Sequence, residues 1–259
     1  MAEDLVALMK EEKAKLKAEI LKKAKNSSPI SSYDTEENLN EQDFDLDVQL
    51  RIPTSEGGSE IQYFKDVITE IEEMNLKEAV ERQALNKQTP WVELTDRRSM
   101  MCGSHHDSYE RRIVELPTWL KSLAGQLECF YNTSQPVNHV LINKYEENGG
   151  IAHHTDGPGY RDIVAILSLG GPVLLSFKER LKTEEIGLRR AAIVHSVVMQ
   201  PRSLLVFSGS IYSELLHGVE CGGEDVVDDT TLNAEEAGLE KGDVVVRQPR
   251  VSLTLRHFY

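Results

Sequence analysis

From about Val92 to its end the chain is a succession of short apolar runs separated by turn residues, and that rhythm leaves few folds open to it. The runs Val137 to Tyr145, Ile163 to Leu169, Val173 to Phe177, Ala191 to Met199, Ser203 to Phe207, Val244 to Arg247 and Val251 to Phe258 have strand length and are rich in β-branched and aromatic residues, the pattern of a sandwich or barrel. Gly170-Gly171-Pro172 and Ser208-Gly209-Ser210 read as turns. The expected class is mainly β with flanking helices, on a double-stranded β-helix (jelly roll) core. Two sheets of this kind can hold a metal ion between their inner faces.

Upstream, the apolar positions Val67, Ile68, Ile71, Leu76, Ala79 and Val80 fall near helical spacing and predict a helix that packs on the core, leading to Pro90-Trp91. Residues 2–25 also read as a helix, with acid at the start and lysines near the end, a polarity that suits the helix dipole. Between the two lie Asp34, Glu36, Glu37, Glu41, Asp43, Asp45 and Asp47, with no Lys or Arg from 33 to 50. Such a run is expected to be a solvated linker. The expected organisation is an N-terminal helical extension over 1–32, an acidic linker over 33–50 and one domain over 51–259. The extension can dock on the domain or offer a surface to a protein partner.

His154-Thr155-Asp156 places two metal-ligand side chains two residues apart, on one strand face if the stretch is extended. With eight histidines scattered over 259 residues, the triplet alone says little. His217 is the best third candidate. Two histidines and one carboxylate on one face of a metal leave positions open on Fe(II) for O2 chemistry. A second cluster, Arg250-x-Ser252-x3-Arg256, puts two arginines on one strand face, about 20 Å apart at about 3.3 Å per residue. A dicarboxylate such as 2-oxoglutarate, held between them, can present one carboxylate to each guanidinium, with the Ser252 hydroxyl as a further donor. Asn143-x-Tyr145, in the strand-like run His139 to Tyr145, again sets two polar groups on one face.

In that order, Asn143-x-Tyr145, His154-x-Asp156, His217 and Arg250-x-Ser252-x3-Arg256 resemble the motifs of the AlkB family of Fe(II)/2-oxoglutarate-dependent dioxygenases. The stretches His154 to Pro158, Ile163 to Gly170, Pro201 to Phe207 and Leu215 to Gly218 look most like the sixth AlkB homologue of eukaryotes, over roughly residues 50 to 259. The resemblance implies that His154, Asp156 and His217 hold Fe(II). It implies that Arg250 pairs with the distal carboxylate of 2-oxoglutarate, helped by Tyr145 and Ser252, while Asn143 and Arg256 serve the end nearer the metal. With O2 as cosubstrate, 2-oxoglutarate would yield succinate and CO2 as a substrate carbon is hydroxylated, and an N-methyl carbon would then leave as formaldehyde.

Two positions depart from bacterial AlkB. Ser252 stands where that protein has asparagine, but an Arg-x-Ser pair is a common anchor in other 2-oxoglutarate oxygenases. Pro158 stands where an acidic residue contacts the damaged base, which leaves substrate identity open.

The resemblance to AlkB-like enzymes implies a recognition lid before the jelly roll, at about residues 92–115, where Arg97, Arg98, His105 and Tyr109, with His106, Arg111 and Arg112, combine groups suited to phosphate contact and base stacking. A mixed-charge loop of this composition can equally face solvent. His153 should point to the strand face opposite His154, and His195 and His257 read as hydrogen-bonded or surface histidines. The net charge of −14 counts against an extended nucleic-acid surface while leaving room for a local basic patch. No apolar run is long enough to span a membrane, and the N-terminus is too charged for a secretory signal. Cys102, Cys129 and Cys221 form no CxxC pair and are expected to be reduced thiols, as in a cytoplasmic and nuclear protein. The leading expectation is oxidative demethylation of alkylated DNA or RNA. Oxidation of a protein side chain and a jelly-roll binding module without turnover are the alternatives.

Overall fold

The computed structural model describes residues 46–52, 60–107, 110–131, 136–157, 159–187 and 189–259, all within one compact unit, Glu41–Tyr259. The helix expected over 2–25 and most of the acidic linker lie outside the described residues. In chain order the elements are β1 (Ile61–Phe64), α1 (Glu70–Gln83), β2 (Val92–Glu93), β3 (Arg98–Gly103), β4 (His105–Asp107), β5 (Glu110–Arg112), α2 (Thr118–Gly125), β6 (His139–Tyr145), β7 (Ile151–His154), β8 (Ile163–Gly170) and β9 (Val173–Glu179). They continue with β10 (Ile193–Met199), β11 (Ser203–Ser208), α3 (Gly209–Glu214), β12 (Leu215–Val219), β13 (Glu224–Val226), α4 (Ala234–Ala237), β14 (Val244–Val246) and β15 (Arg250–Arg256).

The strands form a seven-stranded sheet ordered β1-β11-β8-β15-β6-β3-β2 and a four-stranded sheet ordered β10-β9-β12-β7. This is the jelly roll that the apolar runs predict. Strand alternation sorts the large sheet into two faces. Val140, Ile142, Ala165, Leu167, Val251, Leu253 and Leu255 pack with Leu76, Val80, Trp119, Leu120 and Leu123 of α1 and α2. From the opposite face Val164, Ile166, Leu205 and Phe207 meet Val173, Leu175, Phe177, Val197 and Met199 of the small sheet. β15 lies between β8 and β6, so all seven of its residues are buried, including Arg250, Ser252 and Arg256.

Local signals explain the backing helix. Thr69 caps α1, its hydroxyl accepting from the Glu72 amide at 3.2 Å while the Glu72 carboxylate accepts from the Thr69 amide at 2.7 Å. Glu70, Glu72 and Glu73 fill the first turn and Arg82 the last, as the helix dipole favours. Glu73 then leaves the helix pattern to bind the sheet, accepting from the Gly170 amide at 2.6 Å and from Arg202 Nη1 at 3.1 Å. Gly170 has φ +83°, and a Cβ there would sit 2.5 Å from the Pro249 carbonyl oxygen, so the β8–β9 turn requires glycine at this crossing.

Two expectations need correction. Ser208-Gly209-Ser210 is not a turn but the start of α3, because the Glu60 carboxylate, 150 residues upstream, accepts from the Ser210 amide at 2.9 Å and satisfies that helix end. Residues 222–243 are more than an acidic insertion. They carry β13 and α4 and, with β14, cover the outer side of the small sheet, where Val227 and Val245 pack on Val198. Asn233 bonds both the amide and the carbonyl of Val198, at 2.8 and 2.9 Å. Arg247 ties this cover down, donating from Nε to Asp225 at 2.8 Å and from Nη1 to the Gly149 and Glu220 carbonyls at 3.1 and 2.6 Å.

The Arg247–Asp225 pair is 4% and 9% exposed. Truncating one member strands a buried charge, which typically costs about 3–5 kcal/mol. Asp225→Ala should therefore lower the urea unfolding midpoint strongly, whereas Asp229→Ala, at an exposed pair with Lys241, should leave it nearly unchanged.

Candidate active site

β7 and β12 are neighbours in the small sheet, with His154 directly opposite His217 and their rings 4.5 Å apart. β7 ends at His154, and Asp156 lies in the loop beyond it. The carboxylate is therefore delivered by the loop rather than by strand alternation. Its Oδ1 is 3.9 Å from Nε2 of each histidine, and the three potential ligand atoms all lie within 4.8 Å of one another.

The hydrogen bonds around this trio favour metal binding. His154 Nδ1 is 2.8 Å from the Ala152 carbonyl oxygen. A carbonyl only accepts, so Nδ1 carries a proton, and Nε2 is the ring nitrogen turned toward Asp156. Burial lowers the pKa of His217 to about 4, against the opposing pull of Asp156, so its imidazole is neutral at neutral pH. The site is open on one side only, with side-chain exposures of 35% at His154, 8% at His217 and 3% at Asp156. Arg256 Nη1 donates to Asp156 Oδ1. Among the described residues, Asp156 Oδ2 is buried with no hydrogen-bond partner.

A second group lines the inner face of the large sheet toward the other end of β15. Register sets Ser252 between Asn143 and Ser168, and Arg250 beside Tyr145. Arg250 Nε donates to the Ser168 hydroxyl at 2.9 Å, and its guanidinium lies 5.5 Å from the Tyr145 ring centroid. Burial lowers its pKa, partly offset by Tyr145. Among the described residues its Nη2 has no partner and no carboxylate pairs with it. A small cleft bordered by Tyr145, Val173, Val219, Arg247 and Arg250 opens at this end.

The predicted residues thus form two clusters joined by β15. Arg256 does not stand free to take a cosubstrate carboxylate in the way Arg250 does, because it is committed to Asp156. Arg97 joins the second cluster, donating from Nε to Asn143 Oδ1 at 3.2 Å. Arg98 is separated from both, since it pairs in register with Lys144 on the helix-backed face and donates to exposed Glu93 at 3.1 Å. His105 is half-buried on the β4–β5 hairpin with Nδ1 2.8 Å from the Gly103 carbonyl oxygen. Tyr109 and Pro158 lie outside the described residues. Arg111 of the same hairpin stands 5.5 Å over the Phe258 ring, which touches Tyr160, whose ring lies 4.2 Å from the Arg256 guanidinium. His153 faces away from the trio, as expected, with Nε2 2.8 Å from the Ser176 hydroxyl.

Sequence reasoning missed His139, Ser168 and Tyr160. The first had a legible signal: alternation puts His139 on the same face as Asn143 and Tyr145. The other two depend on sheet register and a loop.

Two buried histidines make the stability of the metal-free protein pH-dependent. Burial lowers His217 to about 4 and, with Arg256 adding, His139 to about 3, while in the unfolded chain both titrate near 6.5. As pH falls below about 6.5 the unfolded state binds protons that the folded state does not, and stability drops by up to about 1.4 kcal/mol per pH unit for each histidine. The urea midpoint should be lower at pH 5 than at pH 7, and His217→Gln should lose less over that interval than the wild type.

The family profile described as the 2OG-Fe(II) oxygenase superfamily matches residues 61–256, from β1 to the end of β15. The chain is 30% identical over 201 residues to the Danio rerio protein named "Probable RNA/DNA demethylase ALKBH6", covering 76% of this chain and 85% of that one. Among solved structures, that of OsALKBH1 is similar in fold, with a TM-score of 0.51 at 14% identity over 78% of this chain and all of the other.

Proposed function

Because the chain belongs to the AlkB family within the 2OG-Fe(II) oxygenase superfamily, we propose that it removes alkyl groups from nucleic-acid bases, with His154, Asp156 and His217 holding the iron and Arg250 anchoring 2-oxoglutarate. The protein is an Fe(II)/2-oxoglutarate-dependent dioxygenase. Arg250 carries the assignment of residues to roles. A guanidinium 5% exposed, bonded only to neutral groups among the described residues, needs an anion to offset its desolvation. It sits on the inner face of the strand whose other end holds Asp156 through Arg256. A dicarboxylate satisfies it at one end and reaches toward the His-Asp-His trio at the other.

Bound Fe(II) and 2-oxoglutarate would supply oxidation of a substrate carbon by O2, with succinate and CO2 as coproducts. The chain's own residues bind and orient. Arg250 pairs with the distal carboxylate, flanked by Tyr145, Ser168 and Ser252, and Asn143 and Arg97 line the row beside them. The buried aromatic wall around His217, including Phe207 at 5.1 Å, keeps water from that side of the metal. Arg111 and Arg112 on the β4–β5 hairpin offer a local cationic edge for phosphate, with the His105 imidazole as a hydrogen-bonding neighbour, beside Phe258 and Tyr160. The Danio rerio relative's name supports an alkylated DNA or RNA substrate. Oxidation of a protein side chain is the second reading, favoured by the net charge of −14.

Incubation with Fe(II), 2-oxoglutarate and pools of N-methylated DNA, RNA and peptides, followed by mass spectrometry, separates the two. Loss of methyl mass from an oligonucleotide with matching succinate is the expected result, and turnover confined to peptides overturns the nucleic-acid assignment. Asp156→Ala should abolish substrate-dependent succinate. Arg250→Lys should raise the KM for 2-oxoglutarate about tenfold or more, as loss of a charge-assisted fork contact implies. An unchanged KM would place the anchor elsewhere.

A further inference from the structure

We propose that His139, at the opposite end of β6 from Tyr145 and Arg250, is a positioning residue for the metal-binding carboxylate: a neutral imidazole protonated on Nδ1 that holds Arg256 against Asp156. The inference rests on the assignment of His154, Asp156 and His217 to iron made above. His139 opens β6, stands opposite Arg256 in register and has no solvent exposure. Both of its ring nitrogens are engaged. Nδ1 is 2.8 Å from the Ser104 carbonyl oxygen, and Nε2 is 3.0 Å from Arg256 Nη2. A carbonyl can only accept and a guanidinium can only donate. The ring must therefore carry its proton on Nδ1 and present a lone pair at Nε2, and an imidazolium would set one donor against another. Burial and the Arg256 charge act in the same direction on its protonation.

The consequence for the metal centre follows from what surrounds Arg256. Its guanidinium lies 4.2 Å from the Tyr160 ring centroid, one terminal nitrogen donates to Asp156 Oδ1 and the other to His139. Nε is already buried without a partner among the described residues. Removing the imidazole would strand Nη2 as well and release the fork from the orientation that meets Asp156. That carboxylate lies in a loop, with no strand pairing to fix it, so its aim depends on the arginine.

The ring is in turn fixed from the far side. Ser104 is buried, its amide donates to the Asn138 carbonyl at 2.9 Å, and its hydroxyl lies 3.1 Å from both the amide and the carbonyl of Val114. Gly103, at φ +82°, permits this crossing, since a Cβ there would meet the Asn138 carbonyl oxygen at 2.2 Å. The base of the β4–β5 hairpin and the metal-binding carboxylate therefore share one imidazole as their connection.

Anaerobic titration of the full chain with Co(II), read by its visible absorption, tests the proposal on four proteins. The wild type should bind, and Asp156→Ala should not. His139→Leu should bind about 10- to 100-fold more weakly, the usual effect of losing a group that orients a metal ligand, with an altered cobalt spectrum. His139→Gln, which keeps one donor and one acceptor, should recover most of the affinity. If the wild type fails to bind, or Asp156→Ala binds equally well, the iron assignment itself falls. If those two behave as expected and His139→Leu binds like the wild type, only the present inference falls. Long-range 1H–15N spectra of the wild-type protein provide a readout independent of variant folding: a neutral His139 ring protonated on Nδ1 supports the proposal, and an Nε2–H tautomer or an imidazolium overturns it.

Discussion

Two guanidinium groups buried at opposite ends of one central strand set the terms for the rest of this site. Moving an ion out of water costs several kcal/mol even after relaxation, and the cost is recovered only by good partners. Arg256 has a carboxylate, an imidazole lone pair and a tyrosine face. Arg250 has a serine hydroxyl and a tyrosine ring, neither of them charged. That asymmetry along β15 distinguishes a structural cation from one suited to an anionic ligand, and it is the ground for the proposed metal end and cosubstrate end of the inner face.

The layers around β15 make such burial possible. On the helix-backed side Val251, Leu253 and Leu255 enter the core with α1 and α2, and on the other side the small sheet closes over the polar row. A strand with solvent on one face would let water screen both arginines and weaken their hold on carboxylates. The cover formed by β13, α4 and β14 extends the same logic outward, since Arg247 links it to the turn at Gly149 beside the Arg250 cleft. Packing and charge placement are thus one problem here. The apolar residues exclude water so that a few polar contacts can be decisive.

Much of this was legible in the chain. Period-two alternation in Arg250–Arg256 and His139–Tyr145 predicts that Arg250, Ser252 and Arg256 share a face, and Asn143 and Tyr145 share another; the structure places the two sets on adjacent strands of one inner surface. The spacing of Leu76, Ala79 and Val80 predicts the backing helix, and the structure adds the Thr69 cap that fixes its start. The start of α3 was not legible, because the group that satisfies it comes from Glu60 in a distant segment. Nor was the sorting of Arg97 from Arg98. These neighbours differ only in whether the backbone has already entered β3, and that turns one toward Asn143 and the other toward Glu93.

By itself the sequence determined the main apolar strands, the residues able to ligate a metal and the guanidinium groups able to hold a dicarboxylate, because these follow from side-chain chemistry and local periodicity. Only the tertiary structure decided which groups meet. Pairing of β7 with β12 brings His217 to His154 across more than sixty residues of chain, and the fall of a loop carries Asp156 to both. Pairing of β6 with β15 gives Arg256 its imidazole. Contacts of that kind depend on register between distant strands, and register is fixed by how the whole sandwich packs rather than by any short stretch of residues.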